Sequence, residues 1–183
     1  MRVIDVMQSQ VITVLPQTSV PATERLMREQ GVRHLAVVDG EALLVGIVSA
    51  RDLTRARPSP ATSLTRHEVN GLLDRLTVAE IMTRPVIVVE PLRRLDEALR
   101  VMRMERISAL PVTDVGRLVG ILTDADVFDL VVRSMRAAGP SSRLDVTPGA
   151  ELGTLAGVAC TAEEVGAPIA DLITPCGTGC ASV

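Results

Sequence analysis

The sequence predicts a mixed α+β fold built from two pseudo-symmetric β-α-β-β-α units, followed by a short C-terminal α/β segment. Three observations lead there. The chain aligns on itself, Met7 through Asp39 on Met82 through Asp114, at a constant offset of 75 residues. Within each copy the apolar pattern alternates between short β-branched runs and helical spacing. Asp39-Gly40 separates two such runs as a hairpin turn does. Two copies suit a paired module, since a solenoid needs three or more.

The elements follow in order. Val11-Ile12-Thr13-Val14 is short, β-branched and stopped by Pro16, which marks a strand. Thr18 and Ser19 offer N-cap oxygens and Pro21 suits a first helical turn, so a helix starts there. Val20, Thr23, Leu26 and Met27 then recur at helical spacing, as do Leu95, Ala98, Leu99 and Met102. Gly31 closes the first helix as a C-cap glycine. Leu35–Val38 and Leu43–Val48 form the hairpin, and a closing helix starts near Ala50 and fades by Pro58. The second copy loses one residue in the turn, so Gly46-Ile47-Val48-Ser49 falls on Gly120-Ile121-Leu122-Thr123 at an offset of 74.

These marks divide the chain into a first motif (1–57), a linker with room for one short helix (58–76) and a second motif (77–136). A second linker (137–142) and a terminal segment (143–183) complete it. Pro58-Ser59-Pro60-Ala61-Thr62-Ser63 and Ala137-Ala138-Gly139-Pro140-Ser141-Ser142 are loops by composition.

Composition excludes several function classes. The 183 residues carry 19 basic and 22 acidic side chains, a formal net charge of -3. Such a chain has no general attraction for phosphate backbones or anionic membranes. Phe128 is its sole aromatic residue, so it lacks the platforms on which single-stranded bases stack. Nucleic acid is therefore not an expected partner. No apolar stretch reaches the roughly 18–20 residues that span a bilayer. The opening Met1–Val6 meets an acid at Asp5 and lacks the apolar run of a signal peptide. Cys160, Cys176 and Cys180 are odd in number and clustered late, unlike a disulfide framework, and the cytoplasm is the expected compartment.

The end of each hairpin carries the most chemistry. Ser49-Ala50-Arg51-Asp52 pairs with Thr123-Asp124-Ala125-Asp126: a hydroxyl leaves the strand and an aspartate follows three residues later. Side chains at that spacing share a helix face. Amides at a helix start suit an anion, and a carboxylate there can accept hydrogen bonds from a vicinal diol. The same spacing is also a plain capping pattern, in which the aspartate serves only the backbone. His34 and His67 are the only histidines and have no third ligand at metal spacing, so no metal site is expected. Cys176 and Cys180 are separated by three residues rather than the two of a redox or zinc knuckle. Ser49 has an acid nearby but no local base, unless folding brings His34 to it, and no catalytic residue is assigned.

Both copies resemble CBS motifs, the tandem modules that pair into a Bateman domain. The likeness covers roughly residues 1–136, including Val32-Arg33-His34-Leu35-Ala36-Val37-Val38-Asp39 and Ile107-Ser108-Ala109-Leu110-Pro111-Val112-Thr113-Asp114. It implies a regulatory module that binds AMP, ADP, ATP or S-adenosylmethionine in clefts between the repeats, with no catalytic cofactor. By position, Asp52 and Asp126 would take the ribose hydroxyls, and Ser49 and Thr123 phosphate or ribose. Ile12 and Ile87 would line the adenine pocket. Arg33 and His34, with Ser108 and Ala109 as their mates, match positions that approach phosphate or base. The family's clefts join the turn of one repeat to strand residues of the other.

Where the family often has a second hydroxyl before the ribose aspartate, this chain has Arg51 and Ala125. The basic residues Arg33, His34 and Arg51 all come from the first copy, so the two clefts are expected to bind a phosphorylated adenosine unequally. The resemblance also implies a homodimer formed through helices. Val127, Leu130, Val131 and Ser134 make one stripe, suited either to the helix's own sheet or to a dimer seam. The alternative to a metabolite sensor is a structural homodimerisation module with no bound nucleotide.

Residues 143–183 resemble the opening of an ACT domain, with Arg143-Leu144-Asp145-Val146 as a strand and a helix from Gly153-Thr154 to Val165. A full ACT unit needs a second helix and a last strand, which a partner chain or a longer sequence would have to supply. A CBS pair followed by an ACT-like segment is similar to the acetoin-utilisation CBS–ACT proteins.

Overall fold

The computed structural model describes residues 1–57, 72–135, 154–164 and 166. The chain divides into two compact units, Met1–Val127 and Phe128–Val183.

The first unit holds both copies except the part of copy two's last helix beyond Val127. In copy one, β1 (Thr13–Val14) leads to α1 (Val20–Gln30), β2 (His34–Val38), β3 (Leu44–Ser49) and α2 (Ala50–Arg55). A short α3 (Val78–Ile81) opens copy two, which continues with α4 (Leu95–Glu105), β4 (Ala109–Asp114), β5 (Arg117–Thr123) and α5 (Asp124–Met135). β1 lies parallel to β2, and β2 pairs antiparallel with β3. β4 and β5 repeat that hairpin, with Leu110 opposite Leu122 as Leu35 is opposite Val48.

Local chemistry explains the boundaries. Ser19 Oγ accepts from the Ala22 amide at 3.4 Å, capping α1, and Gly31 ends it at φ 66°. Copy two makes the same left-handed stop with Arg106 at φ 55°. The hairpins differ more. Val115 and Gly116 both take positive φ, 47° and 80°, as a two-residue turn between twisted strands requires. In copy one the extra residue changes the turn. Asp39 Oδ1 accepts from the Glu41 and Leu43 amides at 3.0 and 2.9 Å, and Ala42, not Gly40, goes left-handed at φ 62°. Asp39-Gly40 thus marked the turn's place and not its geometry.

A second correction concerns the strand expected at the start of copy two. It shrinks to a single parallel bridge, Val89 with Val112. Pro111 stands where copy one has Ala36 and has no N–H to donate to the entering strand.

The lead-in of each copy packs on the other copy. Val78 N donates to Thr18 O at 2.9 Å and Ala79 N to Pro16 O at 2.8 Å, tying copy two's start onto copy one. The symmetric bonds, Val3 N to Arg93 O and Ile4 N to Pro91 O, tie copy one's start onto copy two at 3.0 and 2.9 Å. Accordingly the first core contains Val14, Val20, Met27, Leu35, Val37, Val48 and Leu53 together with Val78 from the second lead-in. Two glycines admit these segments. A Cβ on Gly46 would lie 2.3 Å from the Met82 sulfur, and one on Gly120 would lie 2.4 Å from that of Met7.

In the second unit, Phe128 and Val132 of α5 are 74% and 46% exposed, and Cys160 on α6 (Thr154–Glu164) is an exposed free thiol. The loops expected at 58–63 and 137–142, most of the linker helix, Cys176, Cys180 and the ACT-like strand lie outside the described residues. Among the described residues no helix is long and apolar enough to cross a membrane, and no His, Cys, Asp and Glu cluster could hold a metal ion.

Candidate functional site

Each hairpin ends by presenting a hydroxyl and a carboxylate one turn apart. Thr123 closes β5, and its amide and Oγ1 both donate to Asp126 Oδ2, at 2.8 and 2.6 Å. Asp126 N donates back to Thr123 Oγ1 at 3.4 Å. Ser49 and Asp52 make the same set at 2.8, 2.6 and 3.3 Å. Both turns are therefore capping boxes, and one oxygen of each aspartate belongs to the backbone. The other oxygens differ. Asp126 Oδ1 accepts from Gln8 Nε2 at 2.8 Å, whereas Asp52 Oδ1 has no hydrogen-bond partner among the described residues.

Thr123 and Asp126 stand on the wall of a cleft of about 300 Å³. Its other side comes from copy one: Ile12 and Val32 give apolar surface, and Arg33 and His34 give polar tips. The crossed pairing that the family resemblance implies is thus present, between strand residues of one copy and the turn of the other. It forms because β4–β5 and the lead-in ending at Gln8 meet in a reciprocal bridge, Gln8 N to Ile121 O and Ile121 N to Gln8 O, both 2.9 Å.

Of the residues singled out from sequence, Ile12, Arg33, His34, Thr123 and Asp126 meet in this cleft. Ser49, Arg51, Asp52, Ile87, Ser108 and Ala109 are not on its lining. Ala109 is buried, 5% exposed, opposite Thr123 in the ladder, and Ile87 is 38% exposed. Ser108 Oγ lies 3.1 Å from Nε2 of His34, which does line the cleft. Sequence reasoning missed Gln8, Gln10 and Asp124, which also line it. Gln8 directly follows the repeat-opening Met7, the one signal that could have pointed to it.

Charge in the cleft is largely paired. Arg33 bonds Asp124 Oδ1 at 3.2 Å across the two copies, with both side chains well exposed. Burial holds the His34 imidazole below its ordinary pKa, and the Arg33 charge adds to this, against weaker opposing effects of Asp124 and Asp52. The ladder sets His34 opposite Ser49, but Ser49 Oγ donates to Asp52 while the ring meets Ser108. Nucleophilic catalysis needs the base oriented by a third group, and among the described residues none bonds the second ring nitrogen of His34.

Both copies match the CBS domain family, at residues 3–59 and 78–133. The chain belongs to the CBS domain family. It is 28% identical over 137 residues to a CBS domain-containing protein of Dictyostelium discoideum, covering 74% of this chain and 94% of that protein. It is 40% identical over 119 residues to inosine-5'-monophosphate dehydrogenase of Korarchaeum cryptofilum, covering 64% of this chain but 22% of the enzyme.

Solved structures give the same fold. A Vibrio cholerae protein assigned to acetoin utilization superposes with a TM-score of 0.63 at 30% identity, over 74% of this chain and 93% of that one. The CBS domain pair of protein MJ0100, in complex with 5'-methylthioadenosine and S-adenosyl-L-methionine, superposes at 0.61 with 28% identity, over 73% and 97%. CBSX2 in complex with AMP superposes at 0.60 with 31% identity, over 74% and 98%.

Proposed function

We propose that the chain is a regulatory module, not an enzyme, that senses an adenosine-type metabolite in the cleft between its two motifs. The ligand class is AMP, ADP, ATP or S-adenosylmethionine. The observation that carries this reading is the cleft itself: Asp126, with its Oδ2 in the cap, faces Ile12, Arg33 and His34 of the other copy. Ile12 and Val32 offer an apolar wall to a purine, and Asp126 Oδ1 is the acceptor for a sugar hydroxyl. Among the described residues Arg33 is the one Arg or Lys on the wall, and it suits phosphate once it leaves Asp124. The adenosine-based ligands of MJ0100 and CBSX2 share the base and sugar that this arrangement would recognise. Binding that favours one packing of the two copies would shift a partner's activity through that difference.

A thermal-shift panel of AMP, ADP, ATP and S-adenosylmethionine tests the class, because a ligand that binds only the folded state raises its melting temperature. Calorimetry of Asp126→Asn then tests the site. A hydrogen bond to a charged group contributes about 1.5–3 kcal/mol, so affinity should fall roughly 10–100-fold. Unchanged affinity removes Asp126 from the site.

A second reading has an observation in its favour. Both aspartates are engaged by their own turns, and Asp126 by Gln8 as well. A purely structural, self-associating module needs nothing more of them. Val131 of the expected stripe is exposed on α5, with Phe128 and Val132 exposed beside it, and these would belong to its dimer seam. No thermal shift with any adenosine compound, together with a dimer in sedimentation, would favour it.

A further inference from the structure

Gln8 does something the fold does not require. Its backbone makes the reciprocal bridge with Ile121, but Thr83, its mate at the offset of 75, makes the same bridge with Ile47, at 2.8 and 3.2 Å. Threonine therefore serves the backbone as well as glutamine does. The glutamine adds one bond: its carboxamide donates to Asp126 Oδ1 at 2.8 Å, across 118 positions of sequence. No bond from Thr83 to Asp52 mirrors it among the described residues. The box with Thr123 already takes two bonds on Oδ2, so Oδ1 is the oxygen with room for a ligand, and Gln8 fills one of its two acceptor positions. Gln8 also lines the cleft, so its carboxamide takes the place at Oδ1 that a sugar hydroxyl would take.

We infer that Gln8 is an internal competitor for the sugar site: its carboxamide N–H occupies the acceptor on Asp126, and a vicinal diol enters by taking that place. This rests on the reading of Asp126 as the sugar acceptor. The exchange trades one N–H donor for an O–H donor at the same oxygen, so its cost is set by how often Gln8 is home. If the bond is formed in about nine molecules of ten, apparent affinity is about tenfold below that of an open site. A ligand without the diol has nothing to put in the place of Gln8 and feels no such competition. The Asp52 turn has a threonine at this place and, among the described residues, carries no comparable competitor.

Calorimetry on the full chain tests this with AMP and its 2',3'-dideoxy analogue. Gln8→Thr, which copies the residue of the symmetric bridge, should bind AMP tighter than wild type, about tenfold for a bond formed nine times in ten, and leave the dideoxy analogue unchanged. Gln8→Ala should behave alike, and ligand-free melting temperatures verify that both variants fold. Unchanged or weaker AMP binding in both variants overturns the inference, as does an equal gain for the dideoxy analogue. If Asp126→Asn loses AMP while Gln8→Thr matches wild type, the sugar assignment stands and the competitor falls. No binding of AMP or S-adenosylmethionine by any form overturns both.

Discussion

The turns at Ser49–Asp52 and Thr123–Asp126 are built alike and placed unlike. In each, the hydroxyl and the amide clasp one carboxylate oxygen at nearly the same distances. Around them the side chains diverge. Asp126 has Gln8 on its second oxygen and a cleft that holds Arg33 and His34, while the Asp52 turn has Thr83 at the bridge and Ser108 and Ala109 as the mates of those cleft residues. Duplication preserved what the backbone needs, caps and bridges, because each of these satisfies otherwise unpaired groups. The side chains around the caps, which the backbone does not use, differ between the copies.

The largest effects are expected in the cores. Leu35 and Leu110 are mates, each 0% exposed. Truncating either to alanine should cost about 2–5 kcal/mol in denaturant unfolding. A cost well below that range for one of them would mean that the two cores are not equivalent. Next come the glycines. Gly120→Ala should destabilise more than Gly46→Ala, both by about 1–3 kcal/mol. The added Cβ on Gly120 meets the Gln8 carbonyl oxygen at 3.1 Å as well as a methionine sulfur, whereas on Gly46 the three nearest atoms all belong to the side chain of Met82, whose sulfur can turn aside. Met82→Ala should therefore rescue Gly46→Ala, and Met7→Ala should only partly rescue Gly120→Ala.

The caps are a finer test. Ser49→Ala and Thr123→Ala should each cost about 1 kcal/mol, and matched values would show that the boxes are equal whatever surrounds them. Acid should separate the copies, because His34 has no mate that titrates. Burial lowers its pKa in the folded state, so the fold favours the neutral ring. Stability from this source is complete above the ordinary value of 6.5 and is lost as the pH falls through and below it. Melting temperatures at pH 7.5 and 5 should fall less in His34→Gln than in wild type. The smallest effect belongs to Arg33 and Asp124. Both are well exposed, so Asp124→Asn should change stability by less than about 1 kcal/mol.

Much of this was legible in the chain. The self-alignment, the caps at Ser19 and Gly31 and the paired hydroxyl–aspartate turns follow from local rules that act over three or four residues. What escaped was non-local. The turn after Asp39 depends on a side chain bonding its own loop, and the missing strand near Ile87 depends on the absent N–H of Pro111, a residue more than twenty positions away. The exchange of lead-in segments was invisible because an alignment of two copies says which residues are equivalent and not which copy each one touches.

By itself, then, the order of residues determined the repeat, its elements and the chemistry available at each hairpin's end, since periodicity and capping are read within a single turn or strand. Only the folded arrangement shows that Asp126 shares a cleft with Arg33 and His34, and that Gln8 reaches its second oxygen. Those choices depend on how two nearly identical halves approach each other, and that geometry is set by Met7 on Gly120 and Met82 on Gly46, contacts between residues far apart in the chain.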